Sequence, residues 1–591
     1  MKSWHSARRV VEVLVAMLVA MPVLAQTQPP PQPPPQPPAQ PPPPVPAADQ
    51  RPGGLVPGTA DLAPRPALST EARDLPARPA PPRELQKPAD DLVLDVRGYR
   101  LSANAPPELL AALPTLLAPY TGAQRSYEDL VNATADVTRF LQRASGWYLG
   151  YAYLPEQVPE GGIVQIQLLE GRLDRIDLQW PDSLPVQRRV IEGYLAQLRP
   201  GDILRVRDVE RVVFLINDLR GITARFDIVA GSQPGTASLR VTGQAESRWS
   251  GKADADVNGS RFLGSGRLGV LVAANSLAGL GDAFTASLLA STTGGLGFGL
   301  LSYALPVGSN GLKLGASLSA VRYKLDGADF AGLEIHGDGL TLNAYALYPW
   351  VRSRNLNLFM VGSVDHKRYD DSVGGSARQR QVSSLSLGLT GDLRDDLFGG
   401  AVSTFEAHLA GGEVRYDGGR PGSLDDAPRY TKLSLGLNRL QNLVDGRLLL
   451  YAALRGQWAF DNLDSGEQFR VGGPDGVRAF APGEGTGDTG LVLSTELRLL
   501  PPEAWLGRLA RETVFSLFVD HGELRFRQNA SAQAAGFVNT AHYTGAGVSV
   551  AWERPRTYTL RVSLAGRVAG EARSDKRVRN PRLYAQFTYF F

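Results

Sequence analysis

The side chains that could do covalent or metal chemistry in this 591-residue sequence are few and badly spaced for it. There is no cysteine, which removes thiolate nucleophiles, thiolate metal sites and disulfides at once. The six histidines, His5, His336, His366, His408, His521 and His542, are scattered, with no HExxH and no other ligand spacing. Gly294-Gly295 and Gly472-Gly473 lack the GK[ST] and the strand-to-helix context that cradle a phosphate, and no serine stands in a nucleophile elbow. The sequence therefore implies neither an enzyme nor a cofactor. What remains is electrostatic. Arg478 lies in the glycine-rich stretch FRVGGPDGVRAFAPGE and Asp520 in FSLFVDHG, and a guanidinium can grip a carboxylate with two parallel hydrogen bonds.

Such a pair acquires force only where water is scarce, so the elements that carry it decide its meaning. From Val514 to Gly522, Phe515, Leu517 and Val519 form one apolar face and turn Ser516, Phe518 and Asp520 to the other. The same alternation sets Leu356, Leu358 and Met360 against Asn357 and Ser363. It also sets Leu433, Leu435 and Leu437 against Lys432, Ser434 and Asn438. It recurs across residues 248–591, between Gly, Asp and Asn turns. A soluble sandwich shows a similar period. A closed membrane barrel is favoured by the number of segments, the secretory N-terminus, the lack of a spanning helix and the aromatic last residue. In the closing segment Phe587, Tyr589 and Phe591 share a face with Leu583 and Ala585, opposite Arg582, Tyr584, Gln586 and Thr588. In that barrel Asp520 faces the lumen, and the loop carrying Arg478 is long and flexible enough to fold inward to meet it. The bland alternative is a solvated aspartate lining a wet pore.

The rest of the chain is read around that barrel. Sixty-two basic residues are mixed with 59 acidic ones, so nucleic acid is not implied as a partner. Lys2, Arg8 and Arg9 precede an apolar stretch from Val10 to Leu24, and Val23-Leu24-Ala25 offers a cut before Gln26; residues 1–25 read as a signal peptide rather than an anchor helix. Residues 26–90 form a leader, with thirteen prolines between Pro29 and Pro46 that suit a stiff spacer better than a ligand for a proline-binding domain. A short helix at Ser69 to Leu75 is expected there, in the position of a plug.

From Leu92 the texture becomes α/β, with the order strand, helix, helix, strand, strand occurring twice. The first pass expects a strand and turn over Leu92–Gly98, helices over Pro106–Tyr120 (interrupted near Pro114) and Tyr127–Ala144, and strands over Trp147–Leu154 and Ile163–Leu169. The second expects a strand over Leu173–Leu178, helices over Val186–Leu198 and Val206–Leu219, and strands over Ala224–Val229 and Ala237–Thr242. Two tandem α+β domains follow, residues 91–171 and 172–247. Their sheet edges are either solvated or open to an added strand.

Signal, proline-rich leader, two POTRA-like domains and a C-terminal barrel together resemble the TpsB transporters of two-partner secretion. These are the haemolysin-activator and filamentous-haemagglutinin-secretion branch of the Omp85 superfamily. Pro155 and Gln157 in YLPEQ, with Glu170 and Gly171 in LLEGR, resemble the junction between that family's POTRA domains. Leu215 to Gly221 resembles the end of the second POTRA helix pair, and Asp256 to Gly259 with Asn275 to Asp282 resembles the first barrel hairpins.

Val477, Arg478, Ala479 and Phe480 are similar to the family's Val-Arg-Gly-Phe/Tyr at the tip of the sixth outer loop. Here Ala479 replaces glycine, so strain is expected if the tip needs φ > 0. Phe518, Asp520 and Gly522 are similar to that loop's partner strand. The resemblance implies sixteen strands, about 21 residues each with their turns, and an inward loop around 466–490. It further implies an outer-membrane exporter with its POTRA domains in the periplasm. The expected partners are a large unfolded TpsA-type passenger (haemolysin or adhesin) recognised by its N-terminal secretion domain, outer-membrane lipid, and the assembly machinery that reads the terminal aromatic strand. A barrel assembly factor and a passive porin or adhesin are the alternatives.

Overall fold

The computed structural model describes residues 93–233, 235–325, 334–418, 426–444, 446–529, 538–572 and 580–591. The signal peptide, the leader and the helix expected at Ser69 to Leu75 lie outside them. The first α/β unit runs β1 (Val93–Val96), β2 (Gly98–Leu101), α1 (Pro107–Leu116), β3 (Gly122–Ser126), α2 (Tyr127–Arg143), β4 (Tyr151–Tyr153) and β5 (Ile163–Leu169). Ser126 and Asp129 close a capping box at the start of α2, satisfying donors that the first turn leaves without partners. Leu130, Ala133, Val137 and Leu141 then pack toward Val164 and Ile166 in the unit's core.

The second unit repeats the plan with β6 (Arg172–Gln179), α3 (Arg188–Leu195), α4 (Val206–Asn217), β7 (Ile222–Ala230) and β8 (Thr236–Ala245). In each unit the last strand is central: β5 runs parallel to β2 and antiparallel to β4, and β8 runs parallel to β6 and antiparallel to β7.

Three local expectations change. Helix α1 continues through Pro114 to Leu116, its last turn carrying the loss of the one helical hydrogen bond that the proline cannot donate. Strand β4 is shorter than Trp147–Leu154: the Tyr148 N–H donates to Leu204 O at 2.7 Å, and Tyr148 and Leu149 enter the second unit's core instead. Strand β3 has no alternating pattern and forms by pairing with β1.

Residues 249–590 form one closed antiparallel barrel of sixteen strands, as expected, its first strand (Trp249–Asp256) pairing its last (Arg582–Phe590) from Gln586↔Asp256 to Phe590↔Lys252. Leu268, Leu288, Leu387 and Leu517 are 59–62% exposed on its outer face, beside Met360, Val364, Leu409 and Val548. On a closed barrel such a belt is a lipid surface, and a band about 25 Å tall spans an outer membrane. No helix among the described residues is long and apolar enough to cross a membrane. Exposed Trp249, Trp350, Trp505, Tyr589 and Phe591 mark the end nearer the α/β units, where amphipathic rings belong at a membrane surface.

At that end three barrel turns receive the second unit. Gln187 N–H donates to Gly279 O at 2.9 Å, Gln197 to Ser309 O at 2.7 Å, and Arg211 to Pro349 O at 3.0 Å. Asp218, at the end of α4, accepts both arms of the Arg352 guanidinium at 2.7 and 2.9 Å. Arg352 stacks over Phe214 with 4.9 Å to the ring centre and also donates to Asn357.

The inward loop and its anchors

Residues 460–488 join strands Leu448–Ala459 and Thr489–Leu499 at the far end, as the sixth loop there, and turn back into the lumen. Their glycines and prolines leave little capacity for regular structure, so the chain is shaped by what it meets. Two short stretches, Phe469–Arg470 and Thr486–Gly487, pair with each other, and Val471 and Gly472 add bonds to Gly485 O and Glu484 O at 2.9 Å each. The loop is thus a narrow ladder with a tip at 473–483.

The tip is dry. Val471, Val477, Ala479 and Phe480 are at most 1% exposed and pack with Phe518, Tyr543 and Ala565 of the wall. Burying each of the larger ones contributes about 1.5–3 kcal/mol. Phe480 meets Tyr543 edge-on with ring centres 4.9 Å apart, and Tyr584 Oη donates to Phe480 O at 2.9 Å.

Arg478 sits at the centre of this contact. Its Nε and Nη2 donate to Asp520 Oδ2 and Oδ1 at 2.9 and 2.8 Å, and its backbone N–H donates to Oδ2 at 3.1 Å. The guanidinium lies 3.4 Å from the centre of the Phe518 ring. Asp520 has no exposed surface, so the solvated alternative does not apply.

Sequence reasoning missed the third member. Glu496 accepts from Arg478 Nη1 at 2.8 Å and pairs with Arg498 at 2.7 Å. Alternation in LVLSTELRL, with Leu491, Leu493 and Leu497 on one side, could have placed Glu496 in the lumen.

Two wall glycines make room for the tip. A Cβ on Gly522 would lie 2.3 Å from Val471 Cγ1, and one on Gly545 would lie 2.5 Å from the Ala479 Cβ. Ala479 itself is not among the left-handed residues, so the expected strain is absent; the extra methyl is housed opposite Gly545 instead. Gly545→Ala should therefore destabilise the barrel by about 1–3 kcal/mol of overpacking and lower the temperature at which it unfolds in a heat-modifiability gel. Adding Ala479→Gly should return most of that loss, and a double variant no better than Gly545→Ala would contradict this packing.

The base of the ladder is held elsewhere. Glu467 accepts from Lys367 Nζ at 2.6 Å and pairs with Lys432 Nζ at 2.9 Å, and Asp464 lies 3.0 Å from Arg380 Nε. Burial works to raise the Glu467 pKa, but the two ammonium groups outweigh it and hold the carboxyl down to about 2. Its stabilising charge is complete above the ordinary glutamate value of about 4.3 and is lost only as pH falls through about 2.

The remaining sequence-derived sites are placed apart from this loop. Gln157 bridges both the N–H and the C=O of Gln165 at 2.7 Å, and Pro155 is next to it, both inside the first unit. Glu170 pairs with Arg172 at the passage between units, where Gly171 adopts φ +67° against Leu149. Phe587, Tyr589 and Phe591 point outward, and Phe591 exchanges backbone hydrogen bonds with Gly251 at 2.8 and 3.0 Å.

Comparison with known proteins places this geometry. Residues 235–550 match the family model described as haemolysin secretion/activation protein ShlB/FhaC/HecB, and residues 94–171 match the ShlB-type POTRA domain. The heme/hemopexin transporter protein HuxB of Haemophilus influenzae (strain 86-028NP) is 26% identical over 458 residues, 77% of this chain and 80% of that protein. The outer membrane transporter CdiB of Dickeya dadantii (strain 3937) is 26% identical over 432 residues, 70% and 75% of the two chains. Among solved structures, CdiB from Escherichia coli aligns with a TM-score of 0.65 at 20% identity, over 87% of this chain and 94% of that one. BamA from Haemophilus ducreyi lacking POTRA domains 1-3 aligns with a TM-score of 0.51 at 14% identity, over 84% of this chain and 100% of that one. At these identities the structural likeness speaks for the fold.

Proposed function

The chain belongs to the haemolysin secretion/activation family ShlB/FhaC/HecB, and from that premise we propose how its barrel exports a large exoprotein. The protein is an outer-membrane transporter of two-partner secretion, with its POTRA domain in the periplasm. Its passenger arrives unfolded, is captured through an N-terminal secretion domain by residues 91–171 and 172–247, is threaded through the barrel, and folds outside. No nucleotide-binding motif is present in the sequence, so direction comes from binding at one end and folding at the other. Lipid surrounds the leucine-rich belt, and the assembly machinery reads the strand ending in Phe591.

The observation that carries this reading is the buried Arg478–Asp520 pair. It holds residues 460–488 against one arc of the lumen in the position from which export proceeds. Neither residue touches the passenger chemically. Val477, Ala479 and Phe480 supply the packing, and Gly522 the space.

The test is export of the large exoprotein encoded beside this gene, in cells with and without the full chain. The passenger should reach the medium only when the chain is present. Equal export without it, together with failure of other barrels to assemble, would replace this reading with that of an assembly factor.

A further inference from the structure

The pair at the loop tip leaves one feature unexplained, the number of charges spent on the loop's base. Glu467 is 5% exposed and faces two lysines from different strands, Lys367 on Leu356–Val373 and Lys432 on Arg429–Val444. Lys432 also donates to Glu467 O at 2.8 Å. Three residues earlier, Asp464 meets Arg380 of Ser376–Asp395, whose guanidinium also pairs with Asp371 and covers the Tyr369 ring at 4.5 Å. Among the described residues the hydrogen bonds of Arg478 go to Asp520 and Glu496, on other strands. Gln457 then clamps the two legs together, its amide donating to Glu467 O at 3.1 Å and Asp488 O at 3.0 Å.

Buried charges are costly unless paired, so a base that uses this many must be held to one position. The ladder between Phe469 and Gly487 carries that position to the tip. We propose that Glu467 is a second positioning residue for export, fixing the base of the loop through Lys367 and Lys432 independently of the Arg478 anchor at its tip. The inference rests on the reading that the loop works from inside the lumen. Each anchor contributes its own share to the docked state, so losing either lowers the docked population of the whole ladder and losing both lowers it by the product of the two factors.

The absence of native cysteine allows a direct readout. A Cβ on Gly522 lies 3.0 Å from Val477 Cγ2, about the Cβ-to-sulfur span of a disulfide. Val477→Cys with Gly522→Cys, in a Val471→Ala background that relieves the contact with Gly522, reports the tip's position by its oxidation yield. The full-length protein carrying these changes is compared with the same protein carrying Glu467→Gln, in outer membranes and in planar bilayers.

Glu467→Gln should lower the cross-linking rate and raise the frequency of large conductance openings, each by roughly tenfold. In combination with Asp520→Ala the two fold-changes should multiply. Unchanged cross-linking and conductance, with only a lower unfolding temperature, would reduce Glu467 to an ordinary structural ion pair and overturn the proposal. A combination no worse than Asp520→Ala alone would overturn its independence. Should Glu467→Gln fail to insert, Lys432→Gln, which leaves the contact with Lys367 in place, takes its position in both measurements: a slower cross-link with more frequent openings supports the second anchor, and no change in either overturns it. Export that is equal in cells without the chain, while cross-linking still responds to Glu467→Gln, would sink the export reading and leave the second anchor standing.

Discussion

Asp520→Ala will abolish export of the passenger while leaving a folded barrel in the outer membrane. The substitution removes three hydrogen bonds that Arg478 donates and leaves the buried guanidinium with Glu496 as its one remaining carboxylate among the described residues. Breaking one side of a buried pair costs about 3–5 kcal/mol. That corresponds to a loss of roughly a hundredfold to several thousandfold in the ratio of docked to undocked loop. The barrel itself should survive, because its ladder of backbone bonds does not pass through residues 460–488.

Asp520→Asn, which can still accept a hydrogen bond, should fall between. Arg478→Lys should resemble the alanine variant more than the parent, since an ammonium cannot reproduce the two-pronged contact or the stacking on Phe518. The assay is passenger in the medium against heat-modifiable barrel in the membrane. Parental export by Asp520→Ala would mean that the tip anchor is irrelevant to transport.

Charge reversal at the other end of the molecule should have the second largest effect. Asp218 caps the C-terminal end of α4, where a helix dipole disfavours a carboxylate, so its presence there depends on cations. Arg352 provides two bonds to its carboxylate, and Lys313 Nζ donates to its backbone oxygen at 2.9 Å. Arg352→Asp would set two carboxylates against each other between Phe214 and the barrel rim. The second α/β unit should then separate from the three turns it rests on, with trypsin cutting at Arg248 at least about tenfold faster and export falling in proportion.

Asp218→Arg should do the same from the other side. The two changes together should restore much of both readouts, with the arginine then better placed against the helix end. No recovery in the double variant would show that Arg352 acts through Asn357 and Asp392 inside the barrel rather than through the soluble unit.

How far the sequence could be read depended on the range of the interaction. Helices α2 and α4 were legible because their apolar residues repeat at helical spacing, whereas the capping box of Ser126 and Asp129 came from the structure. Strand β3 was not, because GAQRS has no pattern of its own and becomes a strand only when β1 lies beside it. The lumenal orientation of Asp520 was legible from its neighbours Leu517 and Val519. Glu496 lay within reach of the same argument, but nothing nearby marked it as a partner of Arg478.

By itself, then, the amino-acid order determined which face of each strand meets lipid, that the strands could close into a barrel, and which arginine and aspartate were suited to each other. These properties repeat every two residues or reside in single side chains, so they survive without knowledge of what lies alongside. Only the tertiary structure decided that Glu467 answers Lys367 a hundred residues away, that Asp218 answers Arg352 at a separation of 134, and that the methyl of Ala479 is admitted by the bare backbone of Gly545. Each of those depends on strand register and barrel closure. A one-residue slip in pairing would turn Lys367 and Arg352 to the opposite face of the wall.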